Sequence, residues 1–120
     1  MNRKNIGIMG EEECAKYLRK KKYKIIGANY RTRFGEIDII AQKDGFVIFI
    51  EVKTRAEDSI AEPGEFVDFF KQSRIISTAE LFLKTNRIEL QPRFDVMEVT
   101  YNKISGKVLR INHIENAFGG

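Results

Sequence analysis

Four ionisable residues, Glu36, Asp38, Glu51 and Lys53, fall within one short stretch, GEIDIIAQKDGFVIFIEVKTR (residues 35–55). Two runs rich in β-branched and aromatic residues flank Asp44-Gly45 there, which predicts two strands joined by a type I′ turn. Centring an antiparallel hairpin on that turn places Asp38 opposite Glu51 and Glu36 opposite Lys53. Alternation then puts all four on one face, and Ile37, Ile39, Ile48, Ile50 and Val52 on the other. Opposed residues have Cβ atoms about 4.5–5.5 Å apart, where like charges repel. Two carboxylates so placed share a proton, stay well solvated, or hold a cation between them. A hard divalent ion such as Mg²⁺ is held by one or two carboxylates plus waters and phosphate oxygens. With the Lys53 ammonium beside it, such an ion is suited to phosphodiester hydrolysis: it acidifies a bound water while the lysine offsets developing charge.

A plain surface hairpin has the same signature, with Glu36 and Lys53 as an exposed cross-strand pair that contributes little. A one-residue slip in register would also turn the charges to the opposite face. Against the plain reading, Ile40 and Phe49 share the charged face, which makes it partly apolar.

Asp38, a spacer of about a dozen residues, then Glu51-Val52-Lys53 resembles the signature of the PD-(D/E)xK nuclease superfamily, with Ile37 where the motif has proline. A longer ordered series spans nearly all of residues 7–100. It runs Gly10-Glu11 and Tyr17-Leu18, then Asn29-Tyr30-Arg31-Thr32-Arg33 and Gly35-Glu36-Ile37-Asp38. It continues with Glu51-Val52-Lys53-Thr54-Arg55, Lys71 with Arg74, and Arg93-Phe94-Asp95. This series resembles the YraN-type family of small bacterial proteins, related in fold to archaeal Holliday-junction resolvases. The resemblance implies a restriction-endonuclease-like fold and Mg²⁺ or Mn²⁺ on Asp38 and Glu51. It implies Glu11 as a further ligand, directly or through water, Lys53 as the water-orienting cation, and Glu36 in support. The substrate it implies is structured or branched DNA, cut by a protein whose relatives act as homodimers. It identifies a family better than an activity. A non-catalytic nucleic-acid-binding module, and a protein that dimerises or docks through residues 66–70, stay open beside the metal-dependent endonuclease.

The elements that must position these groups can be read in outline. Residues 5–22 carry an apolar stripe at helical spacing (Ile8, Cys14, Ala15, Tyr17, Leu18), with Glu11, Glu12 and Glu13 in the early turns and a basic run at the end. Cys14 reads as a core filler. Residues 23–29 predict a first strand, and Arg31 and Arg33 follow it, placed either for phosphate contact or for pairing with Glu36 or Glu57. Residues 54–64, which include Arg55, read as a long polar loop bordering the site. Residues 66–84 predict a second helix, with Phe66, Phe69, Phe70, Ile76, Ala79, Phe82 and Leu83 packing on the hairpin. Lys71 and Arg74 lie one turn apart on it, facing nucleic acid or simply solvated. Residues 92–101 and 107–114 predict a second hairpin in which Asp95 pairs with Arg93 or Arg74; His113 is assigned no catalytic role.

The expected fold is one α/β domain over residues 1–120, a mixed five-stranded sheet flanked by helices in the order αβββαββ. Residues 1–4 and 115–120 are expected to fray. At 120 residues and 42% hydrophobic, the chain is large enough for a real core. The longest apolar run is far short of a membrane span, and the N-terminus lacks a secretory signal's apolar centre. One cysteine and one histidine exclude an internal disulfide and a closed Cys/His zinc site, and fit a cytoplasmic location. The net charge of +4 is compatible with nucleic acid and is weak support for it by itself.

Overall fold

Asp44 and Gly45 both adopt positive φ, 50° and 84°, as a type I′ turn requires. The hairpin they set, β2 (Glu36–Lys43) with β3 (Phe46–Ala56), has the expected register, with Ile39 opposite Ile50 and Ile40 opposite Phe49. A computed structural model describes residues 2–59 and 68–119. In it β1 (Lys24–Arg31) pairs antiparallel with β2. On the far side, β4 (Gln91–Tyr101) runs parallel to β3, and β5 (Val108–Phe118) returns antiparallel to β4. The strands lie in the sheet in chain order, β1-β2-β3-β4-β5. With α1 (Arg3–Lys20) before them and α2 (Phe69–Thr85) as the β3–β4 crossover, the order is αβββαββ, as expected.

A helix covers each face of the central strands, which is why β3 reads as an unbroken apolar run, FVIFI. On the α1 face, Cys14 and Leu18 pack with Ile39, Ile48, Ile50, Met97 and Val99. On the α2 face, Ile75, Ala79 and Phe82 pack with Ile40, Val47, Phe49, Phe94 and Val96. Cys14 is fully buried, and burial pushes its thiol up to about 12, so it is an inert core residue. Among the described residues no helix is long and apolar enough to cross a membrane.

Several expectations are corrected. Ile37 packs in the α2-side cluster and not beside Ile39, so alternation breaks at Asp38. The β2–β3 ladder ends at Ile39 and Ile50 and carries neither the expected Asp38–Glu51 pairing nor the Glu36–Lys53 one; Glu36 instead lies opposite Arg31 of β1. Both helices start at caps the apolar pattern does not show. Asn2 Oδ1 accepts from the Asn5 amide, and Asp68 Oδ1 from the Lys71 amide, each at 2.9 Å. Helix α2 buries Ile75, Thr78, Ala79 and Phe82, which leaves Phe69 and Phe70 77% and 82% exposed and not in the core. Phe66 lies outside the described residues, as do residues 60–64 of the expected loop, whose first residues instead prolong β3 to Ala56. Strand β5 runs past the expected Ile114 to Phe118, whose ring stacks 5.3 Å from Phe94. Phe94 stacks in turn on Phe49, so three strands are joined by one aromatic column.

Candidate functional site

Where the β2–β3 ladder stops, Asp38 completes it with its side chain: Oδ2 accepts the Val52 N–H at 2.8 Å. The strands part here, and the gap opens Asp38 and Glu51 to both faces of the sheet. One cleft, of about 620 Å³, is lined by both carboxylates together with Glu11, Arg3 and Arg55. A second, of about 500 Å³, is lined by the same two carboxylates with Glu36, Asp68, Lys71 and Arg74. The pair is therefore a wall common to two clefts. Glu51 is only 8% exposed. Burial first, and the Glu51 charge second, push Asp38 up to about 7 despite the opposing Val52 hydrogen bond.

Glu11 reaches this place because residue 10 is glycine. Helix α1 crosses β3 so closely that a Cβ on Gly10 would stand 1.9 Å from Thr54 Oγ1 and 3.0 Å from Thr54 Cβ. Gly10→Ala is expected to cost about 1–3 kcal/mol by overpacking, read as a lower urea midpoint. Thr54→Ala in the same chain should restore part of the loss, and an unchanged midpoint in the single variant would refute the close crossing. Burial raises the Glu11 carboxyl, a hydrogen bond from Asn29 opposes this, and the Glu36 and Glu51 charges reinforce it. Among the described residues, no three Asp, Glu, His or Cys side chains stand close enough together to hold a metal ion.

The basic residues divide. Lys71 lies one turn before the buried Ile75, on the same face of α2, and its ammonium pairs directly with the Glu51 carboxylate. Burial pulls the Lys71 ammonium down, but the hydrogen bond and charge of Glu51 outweigh it and the net shift is upward. Arg31 Nε sits 3.3 Å from Glu36 Oε2, a largely exposed pair worth little. Arg33 lies over the Phe34 ring, 4.9 Å from its centroid. Arg55 borders the first cleft and Arg74 the second. Lys53 follows Glu51 by two residues, hence on the same face of β3, and is half-buried.

Sequence reasoning missed two supporting residues. Asn29, inside β1 at φ 50°, holds Glu11; asparagine is among the few residues other than glycine that adopt such a φ readily. Asp68 lines the second cleft while capping α2, and its position just before Phe69 is a usual N-cap signal.

Fold and site define a class: a small α/β domain whose mixed sheet parts between two central strands, setting a carboxylate pair between two clefts. Residues 10–99 match the model of the "Uncharacterised protein family UPF0102", and the chain belongs to that family, the YraN family that the ordered motifs resemble. Relatives match over nearly their whole length. A UPF0102 protein of Caldanaerobacter subterraneus subsp. tengcongensis is 41% identical over 119 residues, with 98% of each chain covered. One from Alkaliphilus oremlandii is 45% identical over 121 residues (98% of this chain, 100% of the relative). A third, from Dictyoglomus thermophilum, is 44% identical over 119 residues, with the same coverage.

Proposed function

We propose that this protein is a metal-dependent endonuclease of the PD-(D/E)xK type, acting in the cytoplasm on structured or branched DNA. The observation that carries this reading is the meeting of Asp38 and Glu51 at the wall between two clefts with cationic rims. The donor set is all oxygen, which suits Mg²⁺ or Mn²⁺, and a cation already pairs with Glu51 in the form of Lys71. Asp38 and Glu51 would hold the ion, with Glu11 joining through water. When bound, the ion acidifies water and neutralises phosphate charge. Lys53, beyond Glu51 on the same face, orients the attacking water and offsets charge on the scissile phosphate. Glu36 supports the cationic side of the site. Arg31, Arg33, Arg55 and Arg74 hold flanking phosphates, and Lys71 exchanges Glu51 for a phosphate oxygen.

A second reading, a nucleic-acid-binding module without catalysis, is favoured by the Lys71–Glu51 pair, which neutralises the carboxylate without any metal. A cleavage screen over linear, flapped and four-way-junction DNA with Mg²⁺ or Mn²⁺ separates the two. The endonuclease should turn over on at least one branched substrate, and Glu51→Gln and Lys53→Ala should each lose turnover while keeping the fold. Metal-independent DNA binding with no cleavage of any substrate leaves the module; cleavage undiminished in Glu51→Gln removes the catalytic assignment.

A further inference from the structure

Helix α2 carries a second stripe at helical spacing besides its buried one: Phe70, Ser73, Arg74 and Ser77. These four, with Arg33 and Phe34 of the β1–β2 turn, line a shallow cleft of about 280 Å³. Phe70 is 82% exposed and Phe34 37%, so the cleft presents two aromatic rings to solvent side by side with its arginines. The two charged residues of the cleft are arginines, and one already lies over an aromatic ring. Phe70 and Arg74 also line the neighbouring cleft that contains Asp38 and Glu51, so the two adjoin across these side chains.

We propose that this cleft is a stacking platform for an unpaired base of a nucleic-acid strand whose phosphate reaches the carboxylates, so that the preferred substrate contains single-stranded or unstacked nucleotides. The inference rests on the nucleic-acid reading above and adds the substrate class to it. Every base has a π-face for Phe70, and Arg33 and Arg74 supply the charge that tracks the backbone. The serines keep the floor of the cleft low and offer hydroxyls to a base edge. A second copy of this chain fits less well. A two-fold interface would set this patch against itself, arginines against arginines.

The test is binding without turnover. A single-stranded DNA oligonucleotide carrying 2-aminopurine is titrated with protein in EDTA, and fluorescence and affinity are read together. The wild type should quench the probe on binding and prefer it to the same sequence as a duplex. Phe70→Ala should lose the quenching and weaken binding about tenfold, with Phe70→Trp retaining both. Arg74→Ala should weaken binding and flatten its salt dependence. Because Phe70 is exposed, its loss leaves the fold intact. Unchanged affinity and quenching in Phe70→Ala overturn the platform, as does a Phe70→Ala change that only converts a dimer to a monomer by light scattering. Cleavage is not read, so a protein that binds and quenches but never cuts upholds the platform while the endonuclease reading falls.

Discussion

Asp38→Asn is expected to make the metal-free protein more stable at pH 8 while abolishing metal-dependent cleavage. The amide keeps an oxygen to accept the Val52 N–H, which Asp38 now does at 2.8 Å, but removes a charge half-buried beside Glu51. The carboxyl titrates near 3.8 when unfolded and is pushed up to about 7 by burial and by Glu51 when folded. A raised folded value means the native state holds this proton longer. The protonated carboxyl therefore costs nothing below pH 4, its ionisation disfavours folding increasingly from pH 4 to 7, and the cost levels off above that. At about 1.4 kcal/mol per unit, the gain on removing it is on the order of 2–4 kcal/mol at pH 8 and far smaller at pH 4. Urea unfolding at the two pH values checks this; an equal difference at both would show that the charge is not the cause. Addition of Mn²⁺ should stabilise the wild type and leave Asp38→Asn unmoved. A side chain that weakens the fold at the pH where it would work is what a site under functional constraint looks like.

What the sequence told about this site, and what it did not, follows from how local each cause is. The hairpin register was legible because Asp44-Gly45 needs only its own two positive φ angles; it holds as far as Ile39 and Ile50, which leaves Asp38 and Glu51 just beyond the last pair. The element order αβββαββ was legible from the alternation of helical and strand-like stretches, but the order of strands within the sheet was not. The parting of the strands at Asp38 was not, since it depends on a side chain taking over a ladder hydrogen bond. Nor was the α2 face: the apolar residues from Phe66 to Leu83 are compatible with more than one stripe. The choice of Ile75, Thr78, Ala79 and Phe82 is made by the sheet they meet, which turns Lys71 onto Glu51 and Phe70 outward. Strand β5 was underestimated for a similar reason. Glu115 and Asn116 look like a polar tail, yet Asn116, at φ 51°, sits in a bulge that gives its amide to Asp95.

That buried aspartate carries the other large prediction. Asp95 is wholly buried and accepts from Arg93 Nε at 2.9 Å and Nη2 at 2.8 Å and from the Asn116 amide at 2.9 Å, with His113 Nε2 at 2.7 Å. Arg93 Nη2 also donates to the Tyr23 hydroxyl, which donates to Glu115. One carboxylate thus ties β4 to β5, and through Arg93 to Tyr23 just before β1. Asp95→Ala should cost about 3–5 kcal/mol, because it leaves the nearly buried Arg93 guanidinium and the Asn116 amide without their acceptor. Burial alone would raise the Asp95 carboxyl, but the hydrogen bonds from His113 and Arg93 outweigh it and hold it below its usual 3.8. With the folded value lowered, its contribution is present above pH 4 and is lost as pH falls through the folded value. The stability gap between wild type and Asp95→Asn should therefore be widest near pH 7 and narrow below pH 4. Pairing Asp95→Leu with Arg93→Met should recover much of the loss, since the larger penalty is for an orphaned buried charge and not for a missing ion pair. If the double variant is as unstable as the sum of the two single ones, the aspartate and arginine act separately, and β5 is held by its aromatic column instead.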